Sequence, residues 1–208
     1  MQMKVATFLC FVVGVSQSQV LVGVQAGFSN LSPLPYEVGV DPHPSTWRAG
    51  PVISAFVDVH VTESMAISPS IEFGQHPFNQ YVFHGAMIPE IRIIDSRGFD
   101  SRIYRIAIEG KLLSSTPQFF RLQLVSGLTY IYEDLGDIFV TYQDMNFPGE
   151  VERKRPNNSK SFFAHSLGIG VRSLISESIG LGFTAKYVSN YSDRFQTTLT
   201  AGVLLRLD

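Results

Sequence analysis

The chain has 208 residues, only 16% of them charged, and a formal net charge of −2. Soluble proteins carry roughly 25% charge and polynucleotide binders a basic surplus, so both an ordinary solvated globule and a nucleic-acid partner are disfavoured. The one cysteine, Cys10, lies in the N-terminal apolar run, which leaves the remainder without a thiol for a disulfide, a zinc site or catalysis.

Residues 1–18 read as a secretory signal peptide. Lys4 supplies the positive charge, Val5 to Val15 form an apolar run, and Ser16 and Ser18 are small residues at the positions a signal peptidase reads. That run is too short for a spanning helix, which needs about 20 residues. No later segment reaches that length, so any membrane crossing must use strands. Residues 19–208 are then expected to form one barrel domain.

From Val20 onward the chain alternates with period two, the mark of strands with two different faces. Val20, Val22, Val24, Ala26 and Phe28 share a face in the first strand, and Ile53, Ala55, Val57, Val59 and Val61 in the second. After a tight turn at Glu63-Ser64, Ile67, Pro69, Ile71 and Phe73 continue the pattern. Tyr104, Ile106 and Ile108 form the fourth apolar face; Phe120, Leu122, Leu124, Leu128 and Tyr130 the fifth. Phe163 to Val171, Ile179 to Tyr187 and Leu199 to Leu207 supply three more. Gly110 and Ser126 interrupt the apolar faces, and Phe56 falls on a polar one.

Eight strands, most of about 9–11 residues, match a tilted bilayer crossing. Short turns near Thr62–Met65, Ser114–Pro117 and Ile175–Ser178 alternate with long segments at 30–50, 76–100 and 133–160, and a shorter one at 189–194. That rhythm predicts an all-β, eight-stranded, antiparallel up-and-down transmembrane barrel with short periplasmic turns and long extracellular loops. An even strand number puts both ends on the periplasmic side.

Phe28, Phe73, Tyr104, Tyr130, Phe163, Tyr187 and Phe195 all belong to apolar faces, each at the strand end beside a long loop. They are expected to form an aromatic girdle at the headgroup level. The second face carries glycines such as Gly23, Gly27, Gly127, Gly168, Gly170 and Gly202 instead of the Lys, Glu and Asp of a solvated exterior. Small residues suit the inside of a narrow eight-stranded cylinder, which favours a membrane barrel over a soluble lipocalin-like one.

With its signal peptide, eight alternating strands, loop rhythm and closing Leu204-Leu205-Arg206-Leu207, the chain resembles the small bacterial outer-membrane β-barrels of the OmpA-like and OmpX-like kind. The resemblance covers nearly all of the mature chain and implies integral location in the outer membrane. It departs from the pattern at Leu207-Asp208, where such barrels usually carry an aromatic that the barrel-assembly machinery is thought to read.

Nine charges are expected inside: Asp58, Glu72, Arg105, Glu109, Lys111, Arg121, Arg172, Lys186 and Arg206. Buried charge is costly alone, so a structural salt-bridge network is expected. A regular hairpin at Ser114–Pro117 would set Glu109 opposite Arg121. Asp58 and Glu72 would sit near one another across the Glu63-Ser64 turn and repel unless Arg105 or Lys186 lay between them.

No histidine spacing matches a metal motif among His43, His60, His76, His84 and His165, so no metal and no cofactor is expected. A lipid A or phospholipid acyl hydrolase or transferase on this fold needs a Ser–His–acid arrangement. His165 is expected outward with Leu167 as its next outward neighbour and Ser166 inward, so no catalytic residue is assigned. The remaining candidates are the loops, where Ile138–Tyr142 reads as a strand extending a hairpin beyond the membrane. Trp47, with Pro44 and Arg48, fits an interfacial anchor. The function expected is therefore non-enzymatic: a structural, adhesive or envelope-interaction role through the loops. Lipid, lipopolysaccharide, the assembly machinery and an extracellular or envelope protein are the expected partners. A narrow pore for ions or small solutes is the alternative.

Overall fold

The computed structural model describes residues 19–31, 49–78, 87–88, 91–114, 120–134, 136–144, 149–155, 159–190 and 195–207. The expected signal peptide at 1–18, the loop residues His43, Pro44, Trp47, Arg48 and His84, and residues 115–117 of the expected short turn Ser114–Pro117 lie outside them.

The strands in chain order are β1 (Val20–Leu31), β2 (Gly50–Thr62), β3 (Met65–His76), β4 (Met87–Ile88), β5 (Ile91–Gly98) and β6 (Ser101–Leu113). They continue with β7 (Arg121–Asp134), β8 (Ile138–Asp144), β9 (Glu150–Arg155), β10 (Lys160–Leu174), β11 (Ile179–Ser189) and β12 (Phe195–Leu207). Eight of these close an antiparallel barrel in the order β1-β12-β11-β10-β7-β6-β3-β2, with β2 returning to β1. They are the eight strands expected from the alternation. The turns at Glu63-Ser64 and 175–178 are short, as expected.

Alternation sorts the side chains to two sides of the wall. Val24, Ile53, Ile71, Ile106, Leu124, Leu128, Ile169, Leu181, Leu199 and Val203 face out and are exposed. Gln25, Ser54, Asp58, Glu72, Arg105, Glu109, Thr129, Thr184, Thr198 and Thr200 face in and are buried. This is the reverse of a soluble barrel, and it is the distribution a hydrocarbon surrounding demands. The exceptions have physical reasons. Phe56 points inward and fills the lumen beside Gly23, where a Cβ would lie 2.3 Å from its ring. Gly110 and Ser126 are cross-strand partners on the outer wall.

One ladder is interrupted over two residue pairs. The β2–β3 ladder runs to Phe56↔Ser70 and resumes at Val59↔Ile67, while β3–β6 pairing continues through Pro69↔Ile108. Pro69 has no N–H to offer β2, so the gap falls at it.

The remaining strands build a second sheet, in the order β4-β5-β8-β9. It draws β4 and β5 from the β3–β6 connection, and β8 and β9 from the β7–β10 connection. The described parts of segments 76–100 and 133–160 therefore hold strands, and these pair with one another through Arg97↔Phe139 and Ser96↔Val140. The strand expected at Ile138–Tyr142 is β8. It pairs both with β9 of its own connection and with β5 of the neighbouring one.

Candidate functional site

The lumen holds the first group of candidates. Near the short-turn end, Lys111 Nζ donates to Asp58 Oδ1 at 2.8 Å, and the Arg172 guanidinium donates to Asp58 Oδ2. Asp58 is fully buried. Lys111 also lies 4.0 Å from the centre of the Phe56 ring, which gives a desolvated ammonium a further favourable contact. Arg172 Nε donates to Gln123 Oε1 at 2.6 Å. From Gln123 a neutral chain of hydrogen bonds runs through Thr184 to Gln25 and Thr200.

Nearer the long loops, Arg105 donates to Glu72, to Gln196 and, at 3.2 Å, to Thr198. Gln196 Nε2 in turn donates to Glu133 Oε1 at 3.0 Å. Lys186 sits between two carboxylates, 3.3 Å from Glu109 and 3.7 Å from Glu72. Ser166 Oγ also donates to Glu109, at 3.2 Å. Asp58, Glu72, Arg105, Glu109, Lys111, Arg172 and Lys186, seven of the expected charges, join these ion pairs, and Glu133, which the alternation did not single out, is tied in through Gln196. Arg121 and Arg206 face inward near the short-turn mouth and are only partly buried.

Two expected neighbour relations are corrected. Glu109 faces Gly127, not Arg121, because β6 and β7 pair in a register that sets Leu113 opposite Gln123. Gly127 is where Glu109 needs it: a Cβ there would lie 2.7 Å from Glu109 Cα and 2.9 Å from its Cγ. Glu72 faces Ser54, not Asp58, because register in a hairpin follows the turn. The two carboxylates therefore belong to separate clusters, and each has its own cations.

Towards the long-loop end, the side of the lumen formed by β6, β7, β10 and β11 carries an apolar cluster. Ile103, Ile131, Ala164 and Val188, one from each of β6, β7, β10 and β11, form a buried cluster on the inward face. Phe162, Phe78 and Val140 pack against it. Val140 belongs to β8, so the second sheet sits down on this cluster. Its other face shows Phe139, with Arg97 5.2 Å and Lys154 5.8 Å from the ring centre and Phe99 edge-on at 6.3 Å. Arg97 pairs with Glu152 at 2.6 Å and Lys154 with Asp137 at 2.8 Å, all on or beside the sheet. Phe99 is 63% exposed.

Of the expected girdle, Phe28, Phe73, Tyr104, Tyr130, Phe163 and Tyr187 all lie outward and exposed, towards the long-loop ends of their strands. The Phe195 side chain lies outside the described residues. Rings meet between strands: Phe73 and Tyr104 at 5.2 Å, Tyr104 and Tyr132 at 6.1 Å, Tyr130 and Phe163 at 5.3 Å. Tyr132 is the addition; it follows Tyr130 by two and so shares its face.

His165 faces outward and Ser166 inward. A different serine and histidine do meet: Ser29 Oγ and His76 Nε2 are 3.1 Å apart just inside the long-loop mouth. Both are buried, on the side of the wall away from the apolar exterior. No group of His, Cys, Asp and Glu suited to a metal occurs among the described residues.

No protein-family model matches the sequence, and no curated protein matches it. Solved structures do. The crystal structure of Neisserial surface protein A (NspA) superposes on 90% of this chain and 97% of its own, with a TM-score of 0.53 and 12% identity. Ail, the attachment invasion locus protein of Yersinia pestis, covers 91% and 97% at TM-score 0.47 and 12% identity. The N-terminal β-barrel domain of Pseudomonas aeruginosa OprF covers 92% and 100% at TM-score 0.46 and 10% identity. The likeness to NspA shows the fold: a small, closed, eight-stranded transmembrane-type β-barrel.

Proposed function

We propose that this chain is an integral protein of the bacterial outer membrane, without enzymatic activity, that acts through the surface of its long connections. The observation that carries the reading is the division of the molecule into three parts with different surroundings. The outer wall is apolar and ends in aromatic side chains at the loop side, which suits lipid and the headgroups of lipopolysaccharide. The lumen is filled by ion pairs and narrowed at one end by the Ile103 cluster, which suits structure better than conduction. What is left free to meet another molecule is the β4-β5-β8-β9 sheet, with Phe99, Phe139, Arg97 and Lys154 on its outer face. NspA, a surface protein by name, shares the fold and supports the placement.

On this reading the role is structural, adhesive or envelope-interacting, and the barrel-assembly machinery is a partner during biogenesis. Membrane fractionation combined with a boiled-versus-unboiled gel shift tests the location. A soluble protein with no shift would overturn it. Planar-bilayer recording tests the filled lumen: stable unitary currents would replace this reading with that of a narrow pore.

A further inference from the structure

We propose that the short-turn mouth of the lumen binds a small oxyanion, a phosphate or carboxylate group, between Arg121 and Arg172. The two arginines stand directly opposite each other on β7 and β10, both on the inward face. Like charges so placed repel, and Asp58, which pairs with Arg172, also carries Lys111, so it does not offset both arginines. Lys111 lies in the same cluster, and His60 on β2 is within electrostatic reach of both arginines.

Among the described residues the neighbouring carboxylates are already committed. Both oxygens of Asp58 are taken, one by Lys111 and one by Arg172. Glu109 holds Lys186 and Ser166. Glu63 and Glu177, on the short turns, are exposed and pair with neither arginine. Arg121 makes no hydrogen bond or ion pair among the described residues. Arg172 uses Nε on Gln123 and Nη2 on Asp58, while its Nη1 has no partner, and neither has His60 Nε2. Uncompensated buried charge is expensive. Here it collects at a mouth where Arg121 and His60 are partly open to solvent, so the compensating anion can enter from outside. Two guanidinium forks favour a ligand with at least two oxygens, which phosphate and carboxylate supply and chloride does not.

The test is thermal unfolding of the refolded chain in detergent micelles, titrated with inorganic phosphate, acetate or chloride at matched ionic strength. A saturable rise of the midpoint by about 5–10 °C at hundredfold excess over Kd is expected for an oxyanion and not for chloride. A response to phosphate alone assigns a phosphate group, and a response to acetate alone assigns a carboxylate. Arg121→Gln is expected to abolish the response without lowering the midpoint in chloride, because it relieves the repulsion. Arg121→Glu, which brings its own carboxylate, is expected to raise the midpoint in chloride. Equal responses to all three salts would overturn the site, as would an undiminished response in Arg121→Gln or a lowered chloride midpoint in Arg121→Glu.

Discussion

Asp58 and Arg172 join opposite walls of the barrel: β2 and β10 are four strands apart whichever way the closed sheet is followed. Arg105 on β6 and Gln196 on β12 form a second such spoke, again four strands apart. Cross-lumen bonds of this kind tie together strands that no ladder connects. They make the cross-section rigid as well as filled.

Removing the acid of the first spoke leaves Lys111 and Arg172 buried without their shared partner. Asp58→Asn is therefore expected to destabilise the barrel by about 3–5 kcal/mol. Urea unfolding of the refolded protein in lipid vesicles measures it. Stability within a few tenths of a kcal/mol of the parent would show that the spoke contributes nothing.

Glycines on the two faces should respond differently to a methyl group. At Gly23 the new Cβ would meet the Phe56 ring, itself held under Lys111, and Gly23→Ala is expected to cost about 1–3 kcal/mol. At Gly110 the nearest atom is Ser126 O at 3.7 Å, so Gly110→Ala is expected to be neutral or to gain about 0.5–1 kcal/mol. The same unfolding assay compares them, and equal costs would contradict the assignment of faces.

The apolar wall makes a depth-dependent prediction on a single strand. Val24, near the middle of β1, is 52% exposed, and Phe28, near its loop end, is 65% exposed. Val24→Arg is expected to cost about 2–4 kcal/mol in a bilayer and Phe28→Arg about 0–1 kcal/mol beyond the lost ring. A reversed order would move the membrane away from the aromatic residues.

Docking of the second sheet rests on few side chains. Val140→Asp puts a charge against the Ile103 cluster and is expected to raise hydrogen exchange through residues 136–155, with β1, β2 and β12 unchanged. Exchange that rises equally around the barrel would show that the sheet and the wall unfold as one unit.

The wall was legible in the sequence because lipid outside and a narrow lumen inside impose alternation on every strand, and even Ser126 and Gly110 kept their places on the outer face. Partnerships within the lumen were less legible. Parity says that Asp58, Glu72, Glu109 and Arg121 point inward, but not which meet. That depends on register, which shifts at the bulge between His60 and Thr62 and sets Leu113 opposite Gln123 between β6 and β7. Ser29 and His76, 47 positions apart, carried no local signal at all. The second sheet was only partly readable: Ile138–Tyr142 shows as a strand, but β9, Glu150-Val151-Glu152-Arg153-Lys154-Arg155, is so charged that its composition reads as a solvated loop. An exposed edge favours such charges because they discourage further pairing.

A surface assembled by two connections has an immunological consequence. Arg97 and Phe99 come from one segment, while Phe139, Glu152 and Lys154 come from the other, and only the folded barrel sets them side by side. Antibodies raised against the intact protein should recognise a discontinuous epitope, and synthetic peptides copying either segment alone should neither bind them nor elicit them.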